Sequence, residues 1–127
     1  MEDADWEQRI ADAWASIDGL AEEEFLALID ALAAEQPPDS GAAAFERACA
    51  FDSTGHSDLA VPLYQQALDR GLVGERRRRA VIQMASSLRN LGHPEESVAL
   101  LTAELAVGSD HLDDAVRAIL ALARCRA

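Results

Sequence analysis

Positive charge is scarce in this chain, and lysine is absent altogether. The eleven basic residues are all arginines and stand against 23 acidic residues, so the formal net charge is -12. A protein that binds nucleic acid through its backbone needs a positively charged surface, and this composition therefore predicts no nucleic-acid partner. The acidic excess lies mainly in residues 1–40, which contain twelve acids and a single arginine.

Cysteines and long apolar runs are also few. Cys49 and Cys125 lie far apart in the sequence and outside any metal-ligand spacing, which predicts reduced thiols in a cytoplasmic protein and no metal site. No leader-like segment and no apolar run of membrane-spanning length occur, so we expect no membrane association. The sequence also lacks the common nucleotide-binding and metalloprotease motifs, which predicts a protein without cofactor or catalytic activity.

Helical periodicity is what the sequence does contain. Apolar residues recur every three or four positions in seven segments, and glycine- or proline-containing loops separate these segments. No stretch alternates apolar and polar residues for long enough to indicate a strand. The pattern therefore predicts one all-α domain of seven helices, in which short connections make successive helices antiparallel neighbours.

An internal repeat organises these helices. GHSDLAVPLYQQAL (55–68) aligns with GHPEESVALLTAEL (92–105), and the helix before each glycine has the same apolar spacing. Ala44, Ala48 and Phe51 match Val81, Ala85 and Leu88 in that preceding helix, and a step back of 34 residues from the first set reaches Ile10, Trp14 and Ile17. A period of 34 residues with two helices per unit is typical of tetratricopeptide repeats, and the spacing of 37 residues from Gly55 to Gly92 departs from it by the three residues that the GLVG linker adds.

On these residues the chain resembles the tetratricopeptide repeat (TPR) family, and more closely a small group of bacterial TPR proteins without assigned enzymatic activity. The resemblance is carried mostly by residues 41–127. It implies a right-handed solenoid with units at about 7–40, 41–77 and 78–111 and a terminal helix at 112–127. The small residues that the family uses where two helices meet are matched by Ala48, Ala60, Ala67, Ala85 and Ser97, and its bulky residue in the second helix by Tyr64 and Leu101.

Three residues depart from the family pattern. Trp14 and Glu104 stand where small residues are usual, and Pro62 lies inside the fourth helix, where we expect it to kink or shorten the first turn. Within the repeat, Trp14, Phe51, Leu88 and Leu101 are the predicted core.

The resemblance further implies a non-catalytic module that binds a protein or peptide in a concave groove lined by the first helix of each unit. The residues of this chain that correspond to such a groove are Phe45, Cys49, Asp52, Arg79, Gln83, Ser86, Arg89 and Asn90. Because arginine donates paired hydrogen bonds to a carboxylate, an acidic peptide or a free C-terminus is a candidate ligand. The alternative is a small-molecule binder or enzyme that uses the groove around Phe45, Cys49, Gln83 and Arg89.

The run Arg76–Arg79 allows two interpretations. At 100° per residue, four successive side chains cover about 300° of the helix surface, so they cannot all face one ligand. Either they are solvated and paired with acids such as Glu75, Glu95, Glu96, Asp113 or Asp114, or Arg79 contributes to the groove while the others do not.

The last helix predicts self-association. Val116, Ile119, Leu120 and Leu122 give it more apolar surface than one packing stripe needs, and an uncovered patch of this kind is typical of an interface, with Val116, Ile119 and Leu120 as the predicted contact residues. We therefore expect a homodimer in which this helix is buried, with a monomer capped by the same helix as the alternative.

Overall fold

The computed structural model describes the backbone of residues 2–107 and 113–126 and the side chains of residues 4–106 and 113–122. Within these ranges the chain is all-α and contains no strand. The helices are α1 (Glu2–Ala15), α2 (Glu22–Ala33), α3 (Gly41–Ser53), α4 (Ser57–Asp69), α5 (Gly74–Asn90), α6 (Pro94–Val107) and α7 (Asp113–Arg126). This confirms the predicted all-α helical repeat.

The helices form a ladder of hairpins. Helices α1 and α2, α3 and α4, and α5 and α6 pack as pairs, and α2, α4 and α6 each pack on the helix that follows. The first helices of successive pairs also meet, because α3 contacts α5 and α5 contacts α7. The predicted unit boundaries stay a prediction, although the one placed after residue 77 falls inside α5, since that helix already begins at Gly74.

Three clusters of buried side chains stabilise the packed hairpins, and each cluster contains residues of three helices. Trp6, Phe25 and Ile29 represent the first cluster, Ala48, Tyr64 and Met84 the second, and Ala85, Leu101 and Val116 the third. The small residues at the crossings (Ala48, Ala60, Ala67, Ala85 and Ser97) are all fully buried. A larger side chain at any of them would push two helix backbones apart.

Two of the four predicted core residues lie at the edge of the core. Leu88 and Leu101 are buried, as predicted, but Trp14 and Phe51 are only partly buried. The Trp14 ring meets Phe25 edge-on at 5.0 Å between centroids, while its indole N–H faces a carboxylate on α3. The prediction that both rings are buried is therefore wrong. For Trp14 the physical reason is its indole N–H, which bonds to a carboxylate at the edge of the core.

The repeated Gly-His pair ends α3 and α5 in the same way. Gly55 and Gly92 have φ of 86° and 88°, and the following histidines donate their backbone N–H to Phe51 O and Leu88 O, both at 2.8 Å. This six-residue hydrogen bond closes a helix with glycine in the left-handed conformation. The left-handed conformation at this position thus favours glycine, which explains why both aligned segments, 55–68 and 92–105, start with one.

Pro62 does not shorten α4. The helix begins at Ser57, five residues before the proline, and continues to Asp69. Pro62 has no N–H to donate to Asp58 O, so α4 loses one backbone hydrogen bond there. The first turn is nevertheless formed, because Ala60 donates to His56 O at 3.0 Å.

We predict that Gly92→Ala destabilises the protein by about 1–2 kcal/mol, because an alanine in the left-handed region is strained. An added Cβ at Gly92 would meet no atom within 4 Å, so the cost comes from the backbone alone. Gly19, which also has space for a Cβ but no positive φ, is the matched control, and Gly19→Ala should be neutral or slightly stabilising. Urea unfolding followed by circular dichroism measures both, and equal effects would contradict the prediction.

Candidate functional site

A pocket of about 260 Å³ opens between α3 and α5, with α1 at its edge and α4 beneath it. Its lining residues are Trp14 from α1, Phe45, Glu46, Cys49, Asp52 and Ser53 from α3, Tyr64 from α4, and Arg79 and Gln83 from α5. The α3 residues recur at three- and four-residue intervals, so one face of this helix forms most of the wall.

The pocket unites five of the eight predicted groove residues, namely Phe45, Cys49, Asp52, Arg79 and Gln83. Ser86, Arg89 and Asn90 do not line it and lie further along α5, where Ser86 and Arg89 are partly buried and Asn90 is exposed. The groove assignment itself stays a prediction.

Four lining residues were not predicted as site residues, namely Trp14, Glu46, Ser53 and Tyr64. Glu46 and Ser53 directly follow Phe45 and Asp52 in the sequence, so the helical spacing of α3 could have identified them. Tyr64 was expected only as the bulky residue of the second helix in the repeat pattern, and no sequence signal shows that its hydroxyl reaches the pocket.

A small polar network forms the pocket floor. The buried Tyr64 hydroxyl lies 2.8 Å from Asp52 Oδ2 and 2.9 Å from Gln83 Oε1, and its single proton can be donated to either oxygen. The Cys49 thiol donates to Gln83 Oε1 at 3.3 Å. The network therefore links α3, α4 and α5 and fixes the rotamers of the side chains that face the pocket.

Neither Cys49 nor Tyr64 is activated for nucleophilic chemistry. Burial raises the pKa of the Cys49 thiol well above its usual range, and the carboxylates of Glu46 and Asp52 add to this shift. Burial also raises the pKa of Tyr64, with Cys49 and Asp52 contributing. Both groups are therefore protonated at neutral pH, and a protonated thiol is a poor nucleophile.

Arg76 joins the first helices of the first three hairpins. It donates two hydrogen bonds of 2.6 Å to Glu7 on α1 and also donates to Glu46 Oε2 on α3 at 3.1 and 3.2 Å. The Trp14 indole N–H donates to the other Glu46 oxygen at 2.8 Å. The hydrogen bonds from Arg76 lower the pKa of Glu7, which keeps that carboxylate ionised.

Arg77 and Arg78 act on the other side of α5. Arg77 makes a paired contact with Glu104 of α6 at 2.9 and 3.0 Å. Arg78, only 6% exposed, donates to the same carboxylate at 2.9 Å and to Asp113 of α7. Glu104, which stands where the repeat pattern has a small residue, thus provides one carboxylate that two arginines share.

The interpretation of the arginine run as solvated is therefore wrong for Arg78 and incomplete for its neighbours. The Glu75 and Asp113 partners were expected and are found, but the long-range partners Glu7, Glu46 and Glu104 were not expected. Arg79 is the most exposed of the four and pairs only locally, with Glu75 one turn before it.

Arg89 differs from the other arginines on the groove side of α5. No carboxylate of the described residues pairs with it, and within those residues its side chain donates from Nη2 to Asn90 Oδ1 at 3.3 Å. Its Nε is buried and has no acceptor among the described residues. A buried N–H without a partner is costly, and because this atom is covered, only the remainder of the guanidinium is open to a ligand.

The residues predicted for self-association are partly covered by their own chain. Val116 is fully buried and Leu120 is 5% exposed, and both belong to the cluster formed with α5 and α6. Ile119 is partly buried, whereas Leu122 is 51% exposed. A second copy could therefore contact Ile119 and Leu122 but not Val116, and the homodimer stays a prediction with this smaller surface.

In the described ranges, no three histidine, cysteine or acidic side chains are grouped closely enough to hold a metal ion. None of the helices there combines the length and the apolar character needed to cross a membrane.

Comparison with known proteins agrees with the geometry. The family described as Tetratrico peptide repeat matches residues 41–127, more than half of the chain. The chain belongs to the tetratricopeptide repeat family. No curated protein matches it. Members of this family generally act in protein interactions without catalysis, and TPR hairpins of this kind account for the paired helices and the pocket between α3 and α5.

We predict that Glu104 makes the stability of this TPR protein pH-dependent. Burial raises the pKa of Glu104, but the hydrogen bonds and charges of Arg77 and Arg78 outweigh it, and the net pKa is lowered. The unfolded chain then binds the proton more readily than the folded one. The stabilisation is complete above the ordinary glutamate pKa of about 4.3 and is lost as pH falls through the lower folded value.

The Glu104→Gln variant tests this pH dependence of stability. At pH 7 it should destabilise the protein by about 3 kcal/mol, because two arginines lose a buried counter-ion, and the difference from the unmodified protein should shrink as pH falls below about 4. Asp30→Asn, which removes an exposed partner of Arg47, should have little effect. Urea unfolding from pH 3 to 7 measures this, and a constant difference across that range would contradict the role of the Glu104 charge.

Proposed function

We propose that the protein is a non-catalytic interaction module that binds a segment of a partner protein in the groove between α3 and α5. The observation that carries the proposal is the pocket of about 260 Å³ on the first helices of two hairpins. In a solenoid these helices form the inner surface, which is the surface that binds extended or helical segments.

We further propose that the α5 side of the groove binds a carboxylate, either an acidic side chain or a free C-terminus. Arg89 supports this, because no carboxylate among the described residues pairs with its guanidinium, and a carboxylate accepts two parallel hydrogen bonds from such a group. Ser86 and Asn90 lie one turn or less from Arg89 along the helix and add polar groups. Arg79 lies nearer the start of α5, and within the described residues its ion pair is with Glu75.

The alternative of an enzyme or small-molecule binder has less support. No histidine lines the pocket, and its thiol and phenol are held protonated because burial raises the pKa of both groups. The pocket is also smaller than the roughly 300–1,000 Å³ of most small-molecule sites. The proposal places the module in the cytoplasm, consistent with the reduced thiol of Cys49.

We predict that Arg89→Gln weakens partner binding about tenfold or more, because a hydrogen-bonded ion pair contributes roughly 1.5–3 kcal/mol. The test selects peptides with free C-termini from a random library on the immobilised protein and measures their Kd by fluorescence anisotropy. Arg70→Gln is the matched control, since Arg70 is exposed, belongs to the end of α4 and carries the same charge.

Amidated versions of the same peptides separate the two carboxylate sources. A loss on amidation indicates the C-terminus, whereas unchanged binding indicates an acidic side chain. The proposal is contradicted if no peptide is selected, or if selected peptides bind the Arg89→Gln and Arg70→Gln variants equally well.

A further inference from the structure

One carboxylate at the pocket has no cationic partner among the described residues. Glu46 pairs at 3.1 Å with Arg76, which it shares with Glu7, and Arg79 pairs with Glu75 at 3.1 Å. Asp52 pairs with no cation in the described part of the chain. Its Oδ2 accepts from the Tyr64 hydroxyl at 2.8 Å, and no donor among the described residues occupies its other oxygen. The pocket thus contains one carboxylate with an unused acceptor and an uncompensated charge.

Two carboxylates, those of Glu46 and Asp52, and one guanidinium, that of Arg79, line the pocket. Burial raises the pKa of the Cys49 thiol on the pocket wall most, and the Glu46 and Asp52 charges raise it further. The hydrogen bond from Tyr64 and, least of all, the Arg79 charge lower this pKa, so the carboxylates act on Cys49 more strongly than the guanidinium does. A second carboxylate would be repelled from this position, whereas a cation would be attracted.

The remaining walls are suited to a long side chain with a charged end. Trp14, Phe45 and Tyr64 contribute aromatic rings, and the Phe45 and Tyr64 centroids lie 6.1 Å apart. Aromatic rings pack against the methylene stem of a lysine or arginine and attract its charged head. A volume of about 260 Å³ provides room for a single side chain rather than a larger ligand.

We propose that this pocket receives a basic side chain, lysine or arginine, from the bound partner segment, with Asp52 as its counter-ion. The inference rests on the proposed function, because the base belongs to the segment that lies in the groove. Tyr64 is a positioning residue, since its hydrogen bond orients the Asp52 carboxylate without contacting the ligand's charge.

The base and the carboxylate of the partner would bind at different places along α5. Gln83 borders the pocket, and Arg89 follows six residues later, which is about 9 Å along the helix axis. The expected ligand is therefore a segment with a basic residue and a carboxylate separated by a few residues. A uniformly acidic segment would satisfy Arg89 but would leave Asp52 without a partner.

The test uses four small probes in an NMR titration of the isotope-labelled protein: the N-acetyl methylamides of lysine, arginine, norleucine and glutamate. The readouts are the Trp14 indole N–H and the Gln83 side-chain amide, both at the pocket. The Trp6 indole N–H, which donates to Leu32 O, is the internal reference. We expect the two basic probes to shift the pocket signals with an affinity at least tenfold above norleucine, and glutamate to cause no saturable shift.

Asp52→Asn should abolish this preference, so that lysine and norleucine bind equally. The asparagine keeps an oxygen for the Tyr64 hydroxyl, and circular dichroism verifies that the fold is retained. Asp39→Asn, which removes the same charge from an exposed loop residue, should leave the preference unchanged. If the Asp52→Asn protein does not fold, the affinities of the four probes for the unmodified protein still decide whether the pocket prefers a basic side chain.

Equal affinity for lysine and norleucine, stronger binding of glutamate, or a preference that survives Asp52→Asn would overturn the inference. Peptides that bind through Arg89 but contain no base would also overturn it, while leaving the proposed function intact. Basic probes that enter the pocket, combined with failure to select any peptide, would support a cation site at Asp52 and contradict the proposed function.

Discussion

The fold depends on how four consecutive arginines at the start of one helix are neutralised. Positive charges at a helix N-terminus oppose the helix dipole, and Arg78 is in addition withdrawn from water. Carboxylates from α1, α3, α6 and α7 compensate both effects. Because successive side chains of a helix point about 100° apart, one short run can reach partners on both sides of α5, and the hairpins are joined through it.

Such pairs contribute more to the arrangement of the helices than to net stability. Removing two ions from water costs about as much as their attraction returns, so the apolar clusters supply most of the stabilisation. A buried arginine does, however, require its carboxylate at one particular place. The shared contact of Arg77 and Arg78 with Glu104 thus defines how α6 lies against α5. The pairing of the other charged residues also leaves few free charges at the groove, chiefly those of Asp52 and Arg89.

The sequence predicted the helices and several site residues well, because both depend on local spacing. Residues at three- and four-residue intervals share a helix face, which is why Phe45, Cys49 and Asp52 lie on one side of α3, and the repeat pattern placed them together with Arg79 and Gln83; the five residues line one pocket. The same spacing failed for Trp14 and Phe51, since helical periodicity indicates a face but not how deeply a neighbouring hairpin covers it. The hydroxyl of Tyr64 was missed because a core position in the repeat pattern does not reveal a polar contact.

What the sequence determined by itself is the repeat: its helices, its small residues at the crossings and the Gly-His helix ends, whose hydrogen bonds close within six residues. What only the tertiary structure decided is which acid meets which arginine. The partners of Arg76 and Arg77 lie 27 to 69 residues away in the sequence, and any of 23 acids could have served by composition. The choice follows from packing, because apolar contacts first set the distance between helices and only then can a carboxylate come within hydrogen-bonding range.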